Sequence, residues 1–257
     1  MLVRFRPGAA WPVLVAAVRD EFLDRPWDPP AAHWPQHPST VGGRDRTAGG
    51  TWLAVDTAPT RRALAAVLNG KRLPLLASGA TRPSRGALPL AALTGTVPAN
   101  LDGYDGFHLL SATAEQATVV TWDGEVQTTH NLAPGDHIIV NIGVDETADP
   151  LVPHFAPLFA ALPEPPLSTP GTDLSTMDTK AAWGPWVEFL LGDGLPVDHP
   201  AALLLRQEIS GTEPGTEALA GRVYGSGSAA LVALGPRGVR YDFTPTPLTP
   251  QWTAVVP

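Results

Sequence analysis

Short apolar runs, broken by proline and glycine, dominate the first third of the chain and predict strands rather than long helices. Residues 1–6 and 13–18 are two such runs, split by Pro7-Gly8, and read as a hairpin. Residues 24–40 carry Pro26, Pro29, Pro30, Pro35 and Pro38, which strand and helix interiors reject, so an ordered loop anchored by Trp27 and Trp34 is expected. Gly49-Gly50 leads into a strand at 51–55. Residues 60–69 are ambiguous: Leu64, Val67 and Leu68 fit helical spacing, yet 63–68 equally reads as a buried strand. A helix capped by Ser84 runs to Leu93. Strands follow at 107–112, 117–122, 125–130 and 137–141, the middle pair turning at Asp123-Gly124. Two or three helices are predicted around 151–162, 180–191 and 200–209, the last with its proline in the first turn. Strands at 229–234, 239–243 and 252–256 close the chain. Strands, then helices, then strands predict an α+β fold rather than alternating β-α-β units. The likeliest connecting stretch, 164–173, is expected to cross one domain's surface.

Composition narrows the function. The 257 residues hold 17 Lys+Arg against 25 Asp+Glu, a net charge of −8, and no cysteine. Disulfide scaffolds, zinc ribbons, iron–sulfur sites and a cysteine nucleophile within these residues are excluded. An acidic chain with two lysines, Lys71 and Lys180, suits backbone-driven nucleic-acid binding poorly. No apolar segment approaches the ~20 residues of a spanning helix. The N-terminus lacks the pattern of a secretory signal, so a cytoplasmic protein without a membrane span is expected.

Arg19-Asp20-Glu21 stands directly after the apolar run 13–18. At a strand end, such a triplet can line a pocket mouth, the guanidinium binding an anion and a carboxylate orienting a base. It also reads as a solvated ion-pair cluster. Residues 42–46 and 49–53 resemble phosphate loops superficially but fit neither dinucleotide nor P-loop spacing, and their glycines read as turn formers. His33 and His37 lie in the proline-rich stretch, which cannot present one helical face to a metal, and no metal site is predicted. His108, His130 and His137 fall on strands, where hydrogen-bonded core or surface roles compete with a place on a cavity. Ser226-Gly227-Ser228 lacks the strand–turn–helix elbow of a serine nucleophile.

Taken in order, Arg19-Asp20-Glu21, Arg25-Pro26, Gly49-Gly50-Thr51-Trp52-Leu53, Asn69, Ser84-Arg85-Gly86, Tyr104-Asp105-Gly106-Phe107, Asn141 and Tyr224-Gly225-Ser226 resemble the NRDE family, also called the transport and Golgi organisation protein 2 family. The resemblance covers nearly the whole chain and implies one NRDE-type domain over 1–257. The family's N-terminal pattern is similar to that of cysteine N-terminal-nucleophile hydrolases. That implies a four-layer α-β-β-α sandwich, two antiparallel sheets flanked by helices, and a strand at 63–68 ending on Asn69. In those acylases a cysteine after the initiator Met attacks an amide, with its own amine as base. Arg19, Asp20, Asn69 and Asn141 match their supporting positions by residue type and order. Three positions depart from the pattern. Val18 stands where the family has Asn, Gly227 where it often has Arg, and Leu2 where the cysteine is expected. Alignment on Arg6-Pro7-Gly8 places the missing cysteine just before Met1, either lost or upstream of this start.

Three function classes follow. The first is a protein that binds or traffics an amphipathic acidic ligand, with haem and acyl-coenzyme A implied by the family. Arg19, Glu21, Arg85 and His108 are its candidate ligand-binding residues, and haem is its one possible cofactor-like ligand. The second is an amidohydrolase acting on a non-peptide C–N bond, its nucleophile upstream. The third is a structural or partner-binding protein.

Overall fold

The computed structural model describes residues 1–71, 73, 82–169, 173–212 and 216–256. Strand β1 (Leu2–Phe5) turns at Pro7-Gly8 into β2 (Val13–Phe22), and the two pair antiparallel with Leu2 opposite Ala16. A run of antiparallel neighbours follows: β3 (Trp27–Ala31), β4 (Thr40–Asp45), β5 (Leu53–Asp56) and β6 (Ala63–Asn69). Helix α1 (Leu88–Thr94) has a proline in its first turn and ends on left-handed Gly95. Then come β7 (Phe107–Ala112), β8 (Ala117–Trp122), β9 (Gln127–Asn131), β10 (Gly135–Val140) and the two-residue β11 (Gly143–Val144). The helical stretch supplies α2 (Leu151–Ala160), α3 (Thr179–Trp183) and α4 (Pro185–Phe189). The chain closes with β12 (Arg206–Glu208), β13 (Val223–Gly235), β14 (Gly238–Thr244) and β15 (Thr253–Val256).

These strands make two antiparallel sheets, and the architecture is α+β with few helices. One sheet runs β11-β10-β1-β2-β13-β14-β15, with β12 beside β13. The other is the meander β3-β4-β5-β6-β7-β8-β9. Side-chain alternation explains how they meet. Val3, Phe5, Val13 and Val15 point toward the meander and share one core with Leu53, Val55, Leu64, Leu110 and Val119. Their neighbours Leu2, Leu14 and Ala16 point the other way, onto Phe155 and Phe159 of α2 and onto Trp183 and Trp186. On the far side of the meander, Leu93 of α1 packs against Ala54 and Ala65.

Two buried arginines tie helices to the first sheet. Arg4 donates to both carboxylate oxygens of Asp136 (2.7 and 2.9 Å) and to the Phe159 and Leu162 carbonyls at the end of α2. Arg240 and Asp242 on β14 pair with each other, and Asp242 also accepts from Thr179 Oγ1 (2.6 Å) and Trp183 Nε1 (2.8 Å) of α3. Both residues are wholly buried, so every donor needs its partner.

Several expectations require correction. Residues 24–40 are not one loop: β3 lies inside them with Pro29 and Pro30 in it. The strand tolerates them because it is a sheet edge, and its ladder to β4 is interrupted between Asp28 and Ala31. Gly42 and Gly43 belong to β4 rather than to a turn. Among the described residues of 200–209 there is no helix. Ala201 to Leu204 are all buried in succession instead of on one face, and β12 fills the edge of β13. The helix expected over 180–191 is two helices, broken where Gly184 adopts φ +54° before Pro185. Residues 164–169 are not a loose connection, since Leu167 is buried and accepts from Trp11 Nε1; residues 170–172 lie outside the described chain. No helix among the described residues is long and apolar enough to cross a membrane.

Candidate functional site

The triplet Arg19-Asp20-Glu21 does not follow a strand; it lies inside β2, which runs to Phe22 because β13 pairs with it over its whole length. The ladder shifts by one residue at Gly227, between Ser226 opposite Asp20 and Ser228 opposite Arg19. Gly227 is the extra residue of a bulge in β13, opposite the triplet. Six of the seven candidate residues line one cavity of about 730 Å³: Arg19, Asp20, Glu21, Asn69, Arg85 and Asn141. Asn69 is the last residue of β6, and Asn141 directly follows β10. The fold thus brings ends of both sheets to one place, from positions scattered along the sequence. The cavity falls within the usual ~300–1,000 Å³ of small-molecule sites.

His108 is the exception. It does not line the cavity among the described residues, and it is buried. One ring nitrogen bonds Thr121 Oγ1 (2.8 Å) and the other the Asn141 backbone oxygen (3.1 Å). Burial pulls its pKa down, which favours the neutral ring. The ring therefore positions the Asn141 backbone and offers no free nitrogen to a ligand. No histidine lines the cavity among the described residues.

Arg19 is the cavity arginine without a close carboxylate partner among the described residues. Its guanidinium carbon sits 4.5 Å from the centre of the Trp52 ring, a cation–π stack. Glu21, its ion-pair partner, is 3.9 Å away, beyond hydrogen-bond distance. The side chain is 8% exposed, so water screens its charge little. Two other cavity arginines are committed: Arg25 bonds Asp45 at 2.7 Å, and Arg82 stands 3.2 Å from Asp105. Arg85 donates to the Gly106 carbonyl. Trp52 itself lies over Gly43, where a Cβ would stand 2.3 Å from the indole. A side chain at 227, where the family often has Arg, would start 3.7 Å from Arg19 Nη1. Glycine there spares Arg19 a like charge.

Asp20 accepts from Ser226 Oγ at 2.6 Å, and Ser226 Oγ in turn accepts from the Leu205 N–H. Burial raises the Asp20 pKa, opposed by the Ser226 hydroxyl, the Met1 amine and Arg19. The Met1 amine donates to the Ile139 carbonyl at 3.0 Å, and burial lowers its pKa to about 6 against the pull of Asp20 and Asp149. Tyr224 lines the same wall, and burial followed by the charges of Asp20 and Glu21 pushes its hydroxyl up to about 12. It donates to the Asp20 carbonyl. Ser226 serves Asp20 as a hydrogen-bond partner, in keeping with its lack of a nucleophile elbow. Trp52, Tyr224 and Ser226 were visible in sequence only as members of motifs. Arg82 and Asp149 carry no local signal, because only tertiary packing gathers them. Among the described residues, no three His, Asp or Glu side chains are grouped to hold a metal ion.

Two antiparallel sheets whose strand ends converge on a walled, arginine-bearing cavity define an α+β protein with a small-molecule-sized pocket. The family model for Transport and Golgi organisation 2 matches residues 1–154, more than half of the chain, and the protein belongs to that family. Among curated proteins, none matches the chain.

Proposed function

We propose that the protein binds or traffics an amphipathic acidic ligand, of the haem or acyl-coenzyme A kind, in the 730 Å³ cavity and without catalysis by the residues present. We take the chain 1–257 as one domain of the four-layer α-β-β-α type found in N-terminal-nucleophile hydrolases. The helices packed on the outer face of each sheet support that assignment. The observation carrying the functional reading is Arg19, a buried cation stacked on Trp52 with no carboxylate of the described residues in hydrogen-bond range, beside the apolar wall of Leu53, Ala66 and Leu203. A propionate or phosphate suits the guanidinium, and an apolar ring or chain suits the wall. Haem would be held there by pairing and stacking, since no imidazole from the described residues lines the cavity.

A charge-assisted hydrogen bond contributes about 1.5–3 kcal/mol. Arg19→Ala should then weaken binding by roughly 10- to 150-fold. Titration of haemin and palmitoyl-coenzyme A into both proteins tests this. Equal affinities remove Arg19 from the site, and absence of saturable binding by either ligand overturns the reading.

A second reading has one specific observation in its favour. Met1 lines the cavity, and Leu2 pairs with both Ala16 and Ile138. A residue preceding Met1 would continue the ladder between Val18 and Val140, beside Asp20. A cysteine there would occupy the nucleophile position of an amidohydrolase, with Arg19, Asp20, Asn69 and Asn141 in support. Adding Met-Cys before Met1 and assaying amide hydrolysis tests it; no activity above the parent chain overturns it.

A further inference from the structure

Sheet edges invite pairing with other chains, and among the described residues four of the five edge strands are blunted. Strand β3 carries Pro29 and Pro30, β11 has two residues, β12 has three with Arg206 and Glu208 among them, and the ladder of β15 shifts register. The remaining edge, β9, carries no such device. Its sequence, Gln127-Thr128-Thr129-His130-Asn131, holds no proline, lysine or carboxylate, and all five residues are exposed. Among the described residues it pairs with β8 alone.

The register fixes which backbone groups are free. The Leu132 N–H bonds the Ala117 carbonyl, and the Asp123 N–H bonds the Val126 carbonyl. Hydrogen-bonded pairs alternate along an antiparallel ladder. Thr128 and His130, opposite Thr121 and Val119, therefore bond β8. Gln127, Thr129 and Asn131 aim their N–H and C=O groups outward.

We propose that β9 pairs antiparallel with β9 of a second copy of this chain, about a two-fold axis at Thr129, joining two seven-stranded sheets. A second copy is the occupant the strand itself fits. In that register Thr129 meets Thr129, Gln127 meets Asn131, and Thr128 meets His130, with no carboxylate or lysine brought against its like. The same register sets Val126, which is 56% exposed, opposite Leu132 of the other copy. Each outward-facing pair exchanges two backbone hydrogen bonds, so the strand's free groups are satisfied reciprocally.

Proline at 129 removes only an outward N–H, so Thr129→Pro should leave the β8 ladder intact and break the dimer. Sedimentation velocity of the full chain over a micromolar concentration series should show reversible dimerisation, weakened roughly tenfold or more by Thr129→Pro. Circular dichroism should confirm that the variant melts as the parent does. Should the variant misfold, crosslinking decides, because the chain has no cysteine of its own. Facing Cα atoms of a hydrogen-bonded pair stand ~5.5 Å apart, within disulfide reach. Thr129→Cys should form a covalent dimer on mild oxidation, whereas Thr249→Cys, on an exposed turn, should not. A parent chain monomeric throughout, a dimer undiminished by a folded Thr129→Pro, or equal crosslinking at both cysteines overturns the proposal.

Discussion

Gly43→Ala tests whether Trp52 holds Arg19 in place. A Cβ on Gly43 would stand 2.3 Å from Trp52 Cη2 and 2.4 Å from Cζ2. Carbon atoms in contact prefer about 3.5–4.0 Å, so the indole must withdraw by ~1 Å or more. It has little freedom to do so. Trp27 meets it edge-on with ring centroids 5.9 Å apart, and the Arg19 guanidinium lies 4.5 Å from its centre. Overpacking of this kind costs about 1–3 kcal/mol. The cation–π contact that would be lost is worth about 0.5–2 kcal/mol. Urea melts should show the first loss, and near-ultraviolet circular dichroism should report the altered tryptophan environment. Ligand titration should show affinity reduced roughly 2- to 30-fold. Gly238→Ala is the control, since its Cβ would meet Trp11 at an ordinary 3.7 Å. If Gly43→Ala leaves stability and the near-ultraviolet spectrum unchanged, Trp52 does not transmit a steric load and its positioning role fails. If only the affinity is unchanged, the cavity is not where the ligand sits.

Asp242→Asn should destabilise the fold by about 3–5 kcal/mol, the usual cost of leaving a buried charge without its partner. Its wholly buried carboxylate accepts from Arg240, Thr179 and Trp183, and an amide would turn one acceptor into a donor facing them. A fall in Tm of roughly 6–20 °C is expected; one below about 2 °C would show the network to be dispensable, while Arg240→Met with Asp242→Leu should recover most of the loss. The His137–Asp145 pair, 2.7 Å apart, should make stability depend on pH. The hydrogen bond that His137 donates to Asp145 raises the His137 pKa; burial alone would raise that of Asp145, but the bonds from His137 and the Ile138 N–H lower it. A raised histidine contributes fully below about pH 6.5 and loses its contribution as pH rises through the folded value. A lowered carboxylate contributes above about pH 4 and loses it as pH falls through its folded value. The stability difference between the parent and His137→Gln should thus be largest near pH 5 and smaller near pH 9 in urea melts; a difference that is flat across that range would refute the pairing.

Strands at 107–112 and 117–122 were legible residue for residue, because local alternation and the Asp123-Gly124 turn set their bounds without help from the rest of the chain. The N-terminal hairpin was legible for the same reason. The ordered motif series is likewise readable, and Arg19, Asp20, Glu21, Asn69, Arg85 and Asn141, which it contains, line one cavity. Other features depended on what lay across the sheet. Residues 27–31 are a strand despite two prolines because they fall on an edge, and 206–208 are a strand because β13 had a free side to pair. Arg19-Asp20-Glu21 is strand rather than strand end because β13 runs alongside it. His108 is open in sequence between a cavity and a core role, and its two ring nitrogens are taken by Thr121 and the Asn141 backbone. Local sequence sets the backbone preference of a few neighbouring residues; partners 33 positions away, as Asn141 is from His108, are chosen by packing alone.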